Sequence, residues 1–115
     1  MTDLAKLTKN LIDFRDARDW KQFHNPKDQA LSLTLEAAEV LEHFQWKSQK
    51  EIDQYIQSNK KEIGDELIDV LNYLLYMFHD LDIDIEEAWQ RKIKENHEKY
   101  PVKKAKGKHT KYNKL

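Results

Sequence analysis

Four carboxylates recur in two short runs, Glu36-Ala37-Ala38-Glu39 and Glu66-Leu67-Ile68-Asp69, and both runs sit in segments whose apolar residues return every three to four positions. On a helical wheel the two segments match when displaced by thirty positions: Leu33, Glu36, Ala37, Glu39, Val40, Leu41 and Phe44 correspond to Ile63, Glu66, Leu67, Asp69, Val70, Leu71 and Leu74. In each, the first acid lies within about 60° of the apolar stripe and the second follows three positions later on the same face. Four acids at the edge of a core raise one another's energy by something on the order of several kcal/mol unless protons or a cation compensate. A donor set made only of oxygen suits a hard divalent ion, Mg²⁺ or Mn²⁺. A di-iron bundle would instead require Glu-x-x-His pairs, and here His43 falls four residues after Glu39. The wheel alone leaves two readings: a cation site, or solvent-facing acids beside a wide apolar stripe. Glu42, Glu62 and Asp65 read as surface or outer acids, the last two also as candidates for additional ligands. His43 and Tyr73 occupy equivalent wheel positions facing the four acids.

The elements that must position these residues are helical. With two glycines, two prolines and 36% charged residues in 115, the chain lacks material for the tight turns of an all-β fold. The expectation is an all-α bundle of four to five helices. A first helix, capped by Thr2, carries Leu4, Leu7, Leu11, Ile12 and Phe14 and runs to about Arg18. The connection Asp19 to Asn25 crowds Trp20, Phe23 and His24 together, so it either packs on the core or presents a stacking surface. Asn25-Pro26 opens a second helix reaching about Trp46. Ser48 with Glu51 forms a capping box for a short third helix to about Gln57, and Ser58 or Asn59 restarts the chain. The fourth helix, Lys60 to about Asp80, has the widest apolar stripe and belongs at the centre of the bundle. Asp84 with Glu87 opens a fifth that stops at Tyr100-Pro101.

Charge is uneven. Residues 102–115 carry six lysines and no acid, leaving 14 basic against 21 acidic residues before them. The organisation read from this is one domain over residues 1–101 and a basic tail over 102–115. An acidic body repels nucleic acid and phosphate unless cations intervene, so phosphate chemistry there calls for a metal, basic side chains, or both. No nucleic-acid partner is expected for it. The absence of cysteine excludes disulfides and thiolate metal sites. Met1 to Asn10 lacks the apolar run of a signal peptide and no stretch is long enough to span a bilayer, so a soluble, cytoplasmic protein with no membrane partner is expected. At this length oligomerisation often adds burial, so partner subunits are expected as well.

These residues resemble a family, the MazG-like all-α nucleotide pyrophosphohydrolases, and within it the dCTP pyrophosphatase branch. The resemblance spans nearly the whole chain. The acid pairs indicate the superfamily; Arg18-Asp19-Trp20 with Gln22-Phe23-His24, Phe44-Gln45-Trp46-Lys47, Asp69-Val70-Leu71 with Tyr73-Leu74, Asn96, Tyr100-Pro101-Val102 and Lys111-Tyr112 indicate the branch. Where relatives often carry glycine beside the first acid pair, this chain has Leu35, Ala37 and Ala38. The resemblance implies cleavage between the α and β phosphates of a deoxynucleoside triphosphate, dCTP or a modified dCTP, to the monophosphate and pyrophosphate, clearing unwanted nucleotides from the precursor pool. It implies Mg²⁺ held by Glu36, Glu39, Glu66 and Asp69 as the catalytic acids, one of which, Glu36 or Glu39, assists deprotonation of the attacking water. It implies that Trp20, His24, Trp46 and Tyr73 surround the base and that Lys92 and Asn96 reach phosphates or sugar. It further implies a homotetramer built as a dimer of dimers, with base-binding residues shared across subunits. Two alternatives stand beside it: a MazG-like hydrolase of another nucleotide, and a non-catalytic helical module whose lysine tail binds RNA or an acidic partner.

Overall fold

A computed structural model describes residues 3–115, and every regular element in it is helical. The chain divides into two compact units, one running through Asp82 and the other Ile83–Leu115. The first holds α1 (Leu4–Ala17), a 3₁₀ turn (Lys21–Phe23), α2 (Pro26–Glu42) and α3 (Gln49–Asp80). The second holds α4 (Ile85–Lys99), the single-turn α5 (Val102–Ala105) and a 3₁₀ turn (Tyr112–Lys114).

Helix starts follow side-chain chemistry closely. Thr2 lies outside the described residues, and the Asp3 carboxylate accepts the Lys6 N–H at 2.8 Å to cap α1. Asn25 caps α2 by accepting from the Asp28 N–H at 2.9 Å, with Pro26 at the first helical position where its missing N–H is harmless. Ser48 and Glu51 form both bonds of the capping box on α3, at 3.2 and 3.0 Å. Asp84 caps α4 through the Glu87 N–H at 2.9 Å.

Two boundaries differ from the sequence expectation. The third and fourth helices expected from periodicity are one helix, α3, interrupted at Asn59 (φ −128°, ψ 23°). There the Asn59 side-chain amide donates to the Tyr55 carbonyl at 2.9 Å, so a side chain bonds a carbonyl where the helix bends and the chain resumes without a loop. The second helix ends at Glu42, short of Trp46, because the chain turns over at His43–Gln45 and Trp46 adopts a left-handed conformation at φ 67°.

α2 and α3 run antiparallel. His43 and Tyr55 meet at one end, Gln29 and Asp80 at the other, and the four acids lie between. α1 packs on α3 as well, so α3 is the central element of its unit, as its stripe implied. Its burial is less complete than a central position suggests. Leu75 and Tyr76 are the fully buried hydrophobic residues among those described, while Leu67, Ile68 and Leu74 of α3, Leu81 just after it, and Leu31, Leu35 and Leu41 of α2 stay exposed in the single chain. Among the described residues, no helix is long and apolar enough to cross a membrane.

Candidate functional site

Because α2 and α3 are antiparallel, their matched acid pairs meet head to tail across the helix interface. Glu36, Glu39, Glu66 and Asp69 each offer one carboxylate oxygen, and these four atoms lie within 4.8 Å of one another. The equivalence seen on the wheel extends to burial. The first acid of each pair, Glu36 and Glu66, is half-buried and has a fully enclosed Oε2 without a hydrogen-bond partner, while Glu39 and Asp69 are exposed. Enclosed carboxylate oxygens without donors are costly, and the cost falls if a cation supplies the missing contact. Burial is the largest influence on Glu36 and, with hydrogen bonding to Glu39 and the charges of Glu39, Asp69 and Glu66, pushes its carboxyl up to about 6. Glu66 is raised too, first by hydrogen bonding to Glu39, then by burial and by the charges of Glu39 and Asp69, with His43 pulling it down. The residues therefore fit a hard divalent ion: four oxygen donors, two of them otherwise orphaned, at an opening to solvent. Asp65 stands apart from the four and pairs with Lys61 at 3.5 Å.

Aromatic residues extend the site along α3. Tyr73 is one helical turn beyond Asp69, and its ring centroid lies 6.5 Å from that of His24. His24 also meets Tyr76 edge to face at 4.7 Å. At the other end of the acids, His43 Nδ1 is hydrogen-bonded to the Tyr55 hydroxyl at 2.6 Å, and the Lys47 ammonium sits 4.4 Å from the Tyr55 ring centre. The remaining candidates are placed otherwise. Trp20 stacks edge to face on Phe14 at 5.6 Å, beneath the Arg18 guanidinium. Trp46 is 92% exposed on its left-handed residue, a conformation that costs a bulky side chain about 1–3 kcal/mol and tends to persist where function requires it. Lys92 and Asn96 belong to the second unit, where Lys92 pairs with Glu95 at 3.6 Å and Asn96 is half-buried on the same face of α4.

Sequence reasoning missed a polar clamp behind His24. Arg15, 1% exposed, donates from both terminal nitrogens to Asp80 at 2.7 and 2.9 Å, and Gln29, equally buried, donates to the same carboxylate at 2.7 Å. The Arg15 Nη1 also lies 3.2 Å from His24 Nδ1. Burial alone would raise the Asp80 carboxyl, but the Arg15 and Gln29 bonds outweigh it and hold the group below its usual range. The available signal was Asp80 on the apolar face of α3, at the spacing of Tyr73 and Tyr76.

Comparison with known proteins places these features. Residues 31–115 match the MazG-like family. The dCTP pyrophosphatase 1 of Mus musculus is 36% identical over 105 residues, and that of Homo sapiens 34%. Each match covers 90% of this chain and 62% of the relative, so the chain spans under two thirds of the length of these relatives. The crystal structure of a pyrophosphatase from Archaeoglobus fulgidus superimposes with a TM-score of 0.81 at 39% identity, over 88% of this chain and 94% of that one. With the family match taking in both acid pairs and reaching into both units, the chain belongs to the MazG-like family.

Proposed function

We propose that this chain is a nucleoside triphosphate pyrophosphohydrolase that cleaves the α–β phosphate bond of a deoxynucleoside triphosphate, dCTP or a modified dCTP, releasing the monophosphate and pyrophosphate. The observation that carries the reading is the convergence of Glu36, Glu39, Glu66 and Asp69 with two orphaned oxygens. The names of the similar dCTP pyrophosphatases and of the archaeal pyrophosphatase support the substrate class.

Mg²⁺ is the ion these donors suit, with Mn²⁺ as a substitute; held by Glu36, Glu39, Glu66 and Asp69, it would offset part of the charge of the acids and of the triphosphate and favour loss of pyrophosphate. The chain's own contributions are separable from that. Glu36 and Glu66 are half-buried with one oxygen each enclosed, while the exposed Glu39 and Asp69 border solvent, from which the attacking water comes. Glu36 or Glu39 assists the deprotonation of that water. His24 and Tyr73 line the approach one turn away and offer hydrogen bonds and a stacking surface to the base. Trp46, outside the single-chain site, reaches the base of a nucleotide held by a neighbouring copy, and Lys92 and Asn96 contact phosphate or sugar. The exposed leucines of α2 and α3 form the contacts between copies in a homotetramer.

Incubating the protein with dCTP, 5-methyl-dCTP, dUTP and ATP, with and without Mg²⁺, and identifying products tests the assignment. The expected outcome is Mg²⁺-dependent release of pyrophosphate, fastest from the cytosine nucleotides. If these are the poorest substrates, the family activity is directed at another nucleotide.

A further inference from the structure

The clamp behind His24 is not required to hold α1 against α3, since an apolar cluster would do that at least as well. Its geometry has a more specific consequence. Resting on the nucleotide reading above, we propose that Arg15 and Asp80 are positioning residues that fix His24 as a neutral imidazole donating from Nε2 to a hydrogen-bond acceptor on the nucleotide base.

A guanidinium carries donors only, so Arg15 Nη1, 3.2 Å from His24 Nδ1, directs an N–H at that nitrogen's lone pair. Nδ1 therefore carries no proton and Nε2 carries the ring's single one. The guanidinium cannot turn away. Asp80 grips both of its terminal nitrogens, Gln29 fixes that carboxylate in turn, and the Tyr76 ring lies 5.1 Å from the guanidinium carbon. The His24 backbone is pinned as well, its N–H donating to the Lys21 carbonyl at 2.9 Å and the next residue capping α2. The groups facing the ring are Arg15 from α1 and Tyr73, Tyr76 and Asp80 from α3. Among them burial and the Arg15 charge prevail over Asp80 and lower the imidazole's affinity for a second proton.

A ring locked as a donor discriminates. It pairs with an acceptor such as the N3 of cytosine and opposes a donor such as the N3–H of uracil, leaving two buried donors face to face in the wrong complex. Without the clamp the ring can exchange tautomers or become charged, and the discrimination weakens.

Two experiments test this. Nitrogen-15 NMR of the imidazoles in the intact, nucleotide-free and metal-free protein should show His24 protonated only at Nε2 at neutral pH and above. A proton on Nδ1, or an imidazolium at neutral pH, overturns the proposal whether or not the enzyme reading holds. The double substitution Arg15→Met/Asp80→Leu removes both charges together, so no unpaired ion is left buried. It should let Nδ1 protonate, raise KM for dCTP about tenfold with a smaller change in kcat, and reduce the preference for dCTP over dUTP about tenfold. A variant that melts like the native protein and retains both KM and preference contradicts the proposal. Failure of the native protein to hydrolyse any nucleotide counts against the pyrophosphohydrolase reading instead, and leaves the tautomer result standing.

Discussion

At the scale of single residues, the molecule carries unfavourable features at the four acids, two enclosed carboxylate oxygens and a carboxyl raised to about 6, and a further one apart from them, a tryptophan in left-handed backbone. Each gives a measurable consequence. Glu36 titrates at about 6 in the folded chain against 4.5 ordinarily, so between those values the native state binds more protons than the unfolded one. In the metal-free protein its contribution to stability therefore falls as pH rises through that window, by on the order of 1 kcal/mol after solvent screening. His24, whose affinity for a proton is lowered by burial and Arg15, acts with the opposite sign, favouring the folded state as pH rises towards 6.5. Comparing melts of the native chain with those of Glu36→Gln isolates the first effect, and millimolar Mg²⁺ should abolish the neutral-pH deficit. Glu66→Ala should lower turnover by about 10²–10³-fold, the scale seen when one group stabilising developing charge is removed, while the metal-free chain melts no lower. Trp46→Gly should relieve about 1 kcal/mol of backbone strain yet raise KM, as a paired urea titration and kinetic assay will show.

At the scale of elements, the ends of helices were legible because they are written in local chemistry. Asn25-Pro26, Ser48 with Glu51, and Asp84 each supply a side-chain acceptor to an amide three residues ahead, and each is observed capping its helix. Ser48→Ala should accordingly cost about 1 kcal/mol in urea denaturation and leave kcat unaltered. The wheel also made the two acid pairs visible, since periodicity alone puts Glu36 and Glu66 at equivalent edges of the stripe. It did not show that α2 and α3 are antiparallel, the relation that converts two pairs into one four-oxygen cluster. The break at Asn59 was located but its depth was not, because a side-chain bond to the Tyr55 carbonyl substitutes locally for a backbone bond. The Arg15–Asp80–Gln29 clamp was illegible for a related reason: its members are 14 to 65 positions apart, and no local pattern links them.

At the scale of the whole molecule, few of the described hydrophobic residues are fully buried and many leucines are exposed in the single chain, the surface the proposed association would cover. Leu31 and Leu35, a turn apart on α2, and Leu67 and Leu74 on α3 are the apolar surface that association would cover. Light scattering on the native chain should give the mass of a tetramer, and Leu35→Lys should shift it towards smaller species. The basic end of the chain shares a unit with α4, where Tyr112 meets Tyr100 edge to face at 6.1 Å and the Lys99 ammonium lies 4.8 Å from the Tyr112 ring centre. The four acids carry the proposed chemistry, and product analysis tests that role most directly. Native protein given dCTP and Mg²⁺ should yield dCMP and pyrophosphate in equal amounts, with Glu66→Ala yielding neither at a comparable rate. Release of orthophosphate, or turnover unchanged in the Glu66→Ala protein, would contradict the account.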